Sequence, residues 1–158
     1  MRMRGFTLIE MVIALAILGV LASVALPLTE LAVTRAKETE LRRSLRDIRT
    51  AIDAYKQAVD EGRLPRAPGE SGYPKKLEVL AEGAKDLKNP KGEMIYFLRR
   101  IPRDPFAEEA GANQGAADTW GKRSYASPPQ EPQEGEDVYD VYSRSARTGL
   151  NGLRYRDW

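Results

Sequence analysis

The sequence predicts an α+β fold in which one long N-terminal helix packs against a small C-terminal antiparallel β-sheet. Three observations support this prediction: an apolar run over residues 6–28, an amphipathic helical pattern that continues to residue 61, and short strand-like segments between Pro/Gly turns near the C-terminus. They divide the chain into segments 1–5, 6–28, 29–61 and 62–158. The last segment leaves roughly 95 residues for a head, enough for one small hydrophobic core.

The first element is a predicted membrane span over residues 6–28. At about 1.5 Å per helical residue, this run is long enough to cross a hydrocarbon core of roughly 30 Å. Arg2 and Arg4 precede it, and the positive-inside tendency therefore places the N-terminus in the cytoplasm. An ordinary signal anchor and a cleaved secretory signal are alternatives, since residues 14–16, Ala-Leu-Ala, mimic a signal cleavage site. Neither alternative accounts for the acid in this run.

That acid is Glu10, the one charged residue between Phe6 and Leu28. A carboxylate at the bilayer centre is disfavoured by up to about 3 kcal/mol, so such residues are usually functional and paired. Cleavage between Gly5 and Phe6 would supply a cation, because the new α-amine of Phe6 is largely protonated at neutral pH. The pairing can form within one helix or between neighbouring subunits, where it would set their register.

The helix is predicted to continue through residues 29–61. There is no glycine between Gly19 and Gly62, and no proline between Pro27 and Pro65. Apolar residues recur three or four apart at Leu41, Leu45, Ile48, Ile52, Tyr55 and Val59. This stripe predicts an amphipathic helix whose partner is the sheet of the head.

The other faces of this helix are charged and are predicted to be exposed. Oppositely charged residues lie four apart at Glu38/Arg42, Arg43/Asp47 and Arg49/Asp53. Each such surface pair contributes only a few tenths of a kcal/mol. Four charged residues just past the predicted membrane are candidates for contacts with neighbouring helices in an assembly: Glu30, Arg35, Lys37 and Glu38.

The head is predicted to contain a short helix and a small sheet. In chain order, its predicted elements are a short helix over residues 74–83, a strand or buried loop at 94–98, and strands at 122–127 and 137–143. A Pro-rich acidic link, too long for a tight hairpin, joins the last two strands. The Ala/Gly-rich stretch over residues 107–119 is predicted to be a flexible surface loop.

Composition excludes several kinds of chemistry. The chain has no cysteine and no histidine, so disulfides, thiol nucleophiles and imidazole bases or metal ligands are all absent. Without Arg2 and Arg4, the 25 basic residues fall to 23 and match the 23 acidic ones. A balanced chain gives no electrostatic reason to expect nucleic-acid binding, which normally requires a basic surplus on one face.

Residues 5–10, Gly-Phe-Thr-Leu-Ile-Glu, resemble the N-terminal processing motif of type IV pilins and type II secretion pseudopilins. In that family a prepilin peptidase cuts after the glycine and methylates the new N-terminus. The resemblance therefore implies a leader over residues 1–5, cleavage after Gly5 and methylation of Phe6. It also implies self-assembly into a helical filament, with Glu10 pairing with the Phe6 amine of a neighbouring subunit.

Three head motifs resemble the major pseudopilins of type II secretion: Tyr73-Pro74 followed by Leu77 and Leu80, the loop over residues 101–106, and Asp140-Val141-Tyr142-Ser143. The family's Trp-Gly usually follows the second motif at once, whereas here Trp120-Gly121 comes after the 107–119 insertion. The fold that the resemblance implies is type IV pilin-like.

In major pseudopilins a calcium-binding loop follows the last of these motifs. The resemblance implies calcium ligands at Asn151 and Asp157, together with main-chain carbonyls. This loop departs from the family pattern, because four arginines disfavour a divalent cation: Arg144, Arg147, Arg154 and Arg156. The alternative is an ion-free loop held by arginine–carboxylate pairs and by Trp158.

Taken together, the resemblance implies a structural subunit of a type II secretion pseudopilus and not an enzyme. The implied partners are a prepilin peptidase, an assembly ATPase with its inner-membrane platform, minor pseudopilins and further copies of the chain. The implied location is the inner membrane, with a cytoplasmic N-terminus and a periplasmic head, and then a periplasmic fibre.

Two alternatives stay open. The first is a type IV pilus subunit concerned with adhesion or motility, which would share the same architecture. The second is a membrane-tethered enzyme or ligand-binding head, for which paired carboxylates would be needed. Four acids of the head are its candidates: Asp104, Asp137, Asp140 and Asp157.

Overall fold

The computed structural model describes residues 7–107 and 114–158. The chain forms two compact units, with the division between Lys37 and Glu38. The first unit contains the N-terminal part of a long helix. The second contains the rest of that helix and all the other secondary structure of the described residues. The boundaries expected after residues 5, 28 and 61 separate functional segments and not compact units. They stay predictions.

The long helix, α1, spans Leu8–Asp60 without interruption and carries both the apolar and the amphipathic segments. By length and composition its apolar part could cross a membrane, and none of the described residues in that stretch is buried inside the protein. Just after the helix, the Gly62 amide donates to the Val59 carbonyl, and Gly62 has a φ of 70°, which favours glycine. The predicted helix and its glycine stop are confirmed.

The head contains two small antiparallel sheets. In chain order, the elements after α1 are α2 (Val79–Glu82), β1 (Ala84–Lys85), β2 (Met94–Ile95), a 3₁₀ turn (Ala116–Thr119), β3 (Trp120–Arg123), β4 (Asp140–Ser143) and a second 3₁₀ turn (Tyr155–Asp157). Strand β1 pairs with β2, and β3 pairs with β4 in a register that places Trp120 opposite Ser143. The predicted α+β class, with its long helix and antiparallel pairing, is confirmed.

The amphipathic stripe of α1 is covered by the head, as the sequence predicts. Leu41, Leu45, Ile48 and Ile52 are at most 3% exposed. The other elements contribute to the same core mainly through Leu77, Leu80, Phe106, Trp120, Val141 and Tyr155. The core therefore fixes one face of α1 against the sheets and the C-terminal loop.

Both strands of the second sheet are shorter than predicted. Instead of 122–127, β3 covers Trp120–Arg123, and instead of 137–143, β4 covers Asp140–Ser143. After β3 the chain turns, with the Ser127 amide donating to the Ser124 carbonyl, and the Tyr125 amide donates to Asp137 Oδ1. Side-chain and turn hydrogen bonds thus replace the strand ladder beyond Arg123.

Two other predicted segments also differ from the structure. The short helix expected over residues 74–83 is regular only at Val79–Glu82. Residues 108–113 of the insertion lie outside the described residues, but Ala117 and Thr119 near its end are buried. The Thr119 hydroxyl accepts the Asp104 amide and donates to the Ala116 carbonyl. The prediction of a flexible loop is therefore wrong for this end of the insertion.

Candidate functional site

The described part of the N-terminal motif forms a helix cap. Glu10 Oε2 accepts hydrogen bonds from the Thr7 amide and from Thr7 Oγ1, each at 2.8 Å. In return, the Glu10 amide donates to Thr7 Oγ1 at 3.3 Å. Because α1 begins at Leu8, Thr7 is the N-cap residue and Glu10 is the third helical residue. This reciprocal arrangement is a capping box.

The capping box gives Glu10 a partner within its own chain. The sequence itself carries a signal for this cap, because Thr-x-x-Glu before an apolar run is the capping-box pattern. Gly5 and Phe6 lie outside the described residues. Cleavage after Gly5, methylation of Phe6 and pairing of its amine with Glu10 therefore stay predictions.

The C-terminal loop folds into a tight turn between residues 148 and 154. Thr148 and Arg154 form an isolated antiparallel bridge, and the Gly149 amide donates to the Leu153 carbonyl. Gly152 has a φ of 80°, and Asn151 Oδ1 accepts the Leu153 amide at 3.1 Å. The side chain of Asn151 therefore holds the turn in which it lies.

These residues do not fit a calcium site. Calcium takes about six to eight oxygen ligands, usually including several carboxylates. The Asp157 carboxylate accepts hydrogen bonds from the Arg154 guanidinium, from Nε to Oδ2 at 2.9 Å and from Nη2 to Oδ1 at 3.4 Å. The side-chain oxygen of Asn151 already accepts the Leu153 amide. Among the described residues, no group of three acidic side chains is placed to hold a metal ion. A calcium site at Asn151 and Asp157 stays a prediction that the donor chemistry disfavours.

Helix α1 contacts this loop through two charged residues that the sequence interpretation placed on exposed faces. Glu38 is only 6% exposed, and its Oε1 accepts the Leu150 amide at 2.7 Å and the Tyr155 hydroxyl at 3.1 Å. Arg49 Nε donates to Asp140 Oδ1 at 2.8 Å, and its Nη2 donates to the Trp158 main-chain oxygen at 3.0 Å. Both side chains therefore bind the head of their own chain.

These contacts correct the predicted charge pairs. Arg43 and Asp47 do form the expected surface ion pair, at 3.8 Å. Arg42 instead lies over the Trp158 ring, 4.4 Å from its centroid. Glu38 is also removed from the candidates for contacts between helices, because it is buried in its own head. A helical spacing of four shows that two residues share a face. It does not show whether one of them binds a distant residue instead.

Replacing Tyr155 with phenylalanine should lower the free energy of unfolding by about 1–3 kcal/mol at neutral pH, because Glu38 loses a buried donor. Burial, followed by the hydrogen bond to Glu38 and its charge, raises the pKa of Tyr155. The folded state thus favours the protonated phenol, and this contribution is lost as pH rises beyond about 10, the ordinary tyrosine value. Urea unfolding of both full-length chains in detergent, from neutral pH to above pH 10, should show the difference narrowing. A constant difference would contradict this account.

The acids that a catalytic head would need are used structurally. Asp104 is buried, and its Oδ1 accepts the Phe106 amide, while burial raises the pKa of its carboxyl. Asp137 accepts hydrogen bonds from the Ser71 hydroxyl and the Tyr125 amide. Asp140 binds Arg49 and Arg123, and Asp157 binds Arg154. Each carboxylate thus has a structural partner, and the geometry gives no support to a catalytic pair.

Comparison with known proteins gives matches at the N-terminus and over most of the chain. The family model described as the prokaryotic N-terminal methylation motif matches residues 1–26. A type II secretion system core protein G from Klebsiella pneumoniae is 31% identical over 108 residues, which are 68% of this chain and 72% of that protein. A core protein G from Pectobacterium carotovorum subsp. carotovorum is 31% identical over 109 residues, or 68% of this chain and 65% of that protein.

Pilins are also similar to this chain. The type IV major alpha-pilin of Moraxella bovis is 38% identical over 92 residues, covering 58% of this chain. The matched region spans 55% of that pilin's own length. No solved structure gives a significant match. The relatives are therefore pilin and pseudopilin subunits, and the longest matches quoted are to core protein G.

Proposed function

Because this chain belongs to the family of the type II secretion system core protein G, we propose that it is the structural subunit of a type II secretion pseudopilus. In this proposal a prepilin peptidase cuts after Gly5 and methylates Phe6. The subunit is stored in the inner membrane with its head in the periplasm, and it then assembles into a fibre through its helix. An assembly ATPase, its membrane platform and minor pseudopilins are the proposed partners.

One observation carries the proposal: the described side chains in the apolar part of α1 are exposed. Leu8, Ile9, Leu15 and Val20 are each more than 60% exposed, and none of the described residues in the apolar stretch is buried inside the protein. Exposed apolar surface of this extent requires lipid or other helices. A membrane in the stored state and neighbouring copies in the assembled state would each supply that cover. The segments proposed accordingly are the leader 1–5, the span and fibre core 6–28, the connecting helix 29–61 and the head 62–158.

The mature N-terminus tests the proposal. When the full chain is produced with a prepilin peptidase, mass spectrometry should find N-methylated Phe6 as the first residue. Gly5→Val should leave Met1 in place, because the side chain blocks recognition of the cut site, while Ala16→Val should be processed normally. Processing near Ala16 or an intact N-terminus in the parent chain would contradict the proposal and indicate a conventional signal segment.

The match to Moraxella bovis major alpha-pilin favours one further candidate, a type IV pilus subunit. Such a subunit would share the processing and the helix packing but would form surface fibres. Deleting the gene in its native host separates the two functions. We expect loss of secreted proteins with motility and surface fibres retained. Loss of surface fibres with secretion intact would instead establish the pilus subunit.

A further inference from the structure

The C-terminal loop is attached to α1 by the guanidinium of Arg49, which binds oxygens of three residues. Arg49 donates to one carboxylate oxygen, Asp140 Oδ1, and to two main-chain oxygens, those of Val141 at 3.2 Å and Trp158 at 3.0 Å. A carboxylate with main-chain carbonyls is the kind of oxygen set that a calcium ion recruits. The Arg49 guanidinium therefore binds both strand β4 and Trp158.

Asp140, the carboxylate in this set, also binds two other protein donors. Its Oδ1 also accepts the Val141 amide at 2.8 Å, and its Oδ2 lies 3.5 Å from Arg123 Nη2. Arg123 in turn stacks on the Tyr139 ring, 4.6 Å from its centroid. Two guanidinium groups therefore surround one carboxylate, which leaves this site with a positive balance that repels a divalent cation.

The second attachment has the opposite charge. Glu38 lies three helical turns before Arg49 on α1 and binds the Leu150 amide and the Tyr155 hydroxyl. The Tyr155 ring stacks on Phe106, with 4.0 Å between centroids, and contacts the Trp158 ring edge-on at 5.1 Å. The Glu38 carboxylate thereby fixes the turn and the aromatic end of the loop at the same time.

Arg42, between these two positions, completes one row of side chains along α1. The spacing from Glu38 to Arg42 to Arg49 is four and then seven residues, so all three lie on one helical face. Each of the three side chains contacts a different part of the loop. Glu38 binds its turn, Arg42 covers the Trp158 ring, and Arg49 binds the Trp158 main chain and β4.

We propose that Arg49 and Glu38 hold the C-terminal loop of this chain in place of a metal ion, so that the loop folds independently of divalent cations. The family resemblance implies a loop held by a calcium ion, whereas in this proposal two side chains of α1 hold it. An arginine stays protonated throughout the physiological pH range and cannot be removed by a chelator. The loop should therefore keep its structure where calcium is scarce.

Trypsin provides a local readout, because the loop carries its own cleavage sites at Arg144, Arg147, Arg154 and Arg156. For the full-length chain in detergent, we expect the same cleavage rate within residues 144–156 in millimolar EDTA and in millimolar calcium. Each rate is divided by that of a free peptide of residues 144–156, which corrects for the effect of calcium on trypsin itself. The thermal midpoint should likewise agree within about 1 °C, since no bound ion adds stability. Faster cleavage in EDTA together with protection by calcium would overturn the proposal.

The matched variants are Arg49→Gln and Arg43→Gln, which remove one arginine each from the same helix. Arg43 forms an exposed ion pair with Asp47. Arg49→Gln should raise cleavage within the loop at least about fivefold and lower the thermal midpoint by roughly 5 °C or more, while Arg43→Gln changes neither appreciably. Equal behaviour of the two variants would overturn the proposal.

Arg49→Lys separates charge from geometry and serves if the glutamine variant fails to fold. Lysine keeps the positive charge but lacks the planar fork that reaches three oxygens, so cleavage should fall between the parent and Arg49→Gln.

Discussion

Replacing Glu10 with glutamine should abolish fibre formation while leaving membrane insertion and the helix cap intact. Glutamine at the third helical position still accepts the hydrogen bonds that Glu10 receives from Thr7. It carries no charge and cannot form an ion pair with the Phe6 amine of a neighbouring subunit. The expected result is a membrane-inserted chain of normal abundance and at least a tenfold loss of sedimentable fibres, equivalent to about 1.4 kcal/mol or more.

Thr7 variants provide the matching control. Thr7→Ser keeps the hydroxyl that the Glu10 amide and carboxylate use, and it should assemble normally. Thr7→Val removes that hydroxyl while keeping the carboxylate, so any defect it shows reports on the cap alone. Normal fibres from Glu10→Gln would refute the ion-pair mechanism. A defect in Thr7→Val as large as that in Glu10→Gln would show that assembly also requires the cap, since Glu10→Gln keeps the cap and loses only the charge.

Replacing Trp120 with alanine should produce the largest loss of stability in the head. The side chain is fully buried at the start of β3, and its Nε1 donates to the Pro102 carbonyl at 2.8 Å. Removing it leaves a cavity in the core that faces α1 and an unpaired carbonyl, for an expected loss of about 3–5 kcal/mol. That is a large share of the stability of a domain of this size. Urea unfolding of the full-length chain, followed by circular dichroism, measures it.

An exposed aromatic residue is the appropriate comparison. Tyr96 is 63% exposed, and Tyr96→Ala should change the free energy of unfolding by no more than about 0.5 kcal/mol. Trp120→Phe should be intermediate, because it keeps most of the apolar contact and loses the indole donor. Similar losses for Trp120→Ala and Tyr96→Ala would show that the core described around β3 does not control the stability of the head.

The long helix and its buried stripe could be predicted because their signals are local and periodic. Leu41, Leu45 and Ile48 recur at helical spacing, and such spacing alone determines that they share a face. The strands were located less well, since β3 and β4 are only four residues long. Their ends depend on hydrogen bonds between distant segments, such as that from the Tyr125 amide to Asp137.

The sequence by itself determined the parts of this protein that follow from neighbouring residues: the apolar helix, its single acid, the processing motif and the absence of thiol and imidazole chemistry. Only the tertiary structure decided what the charged residues of α1 do. Glu38 and Arg49 looked like members of exposed pairs, but their partners lie about a hundred positions further along the chain. Spacing along a helix shows which residues share a face. Which segment that face contacts depends on how the whole head packs.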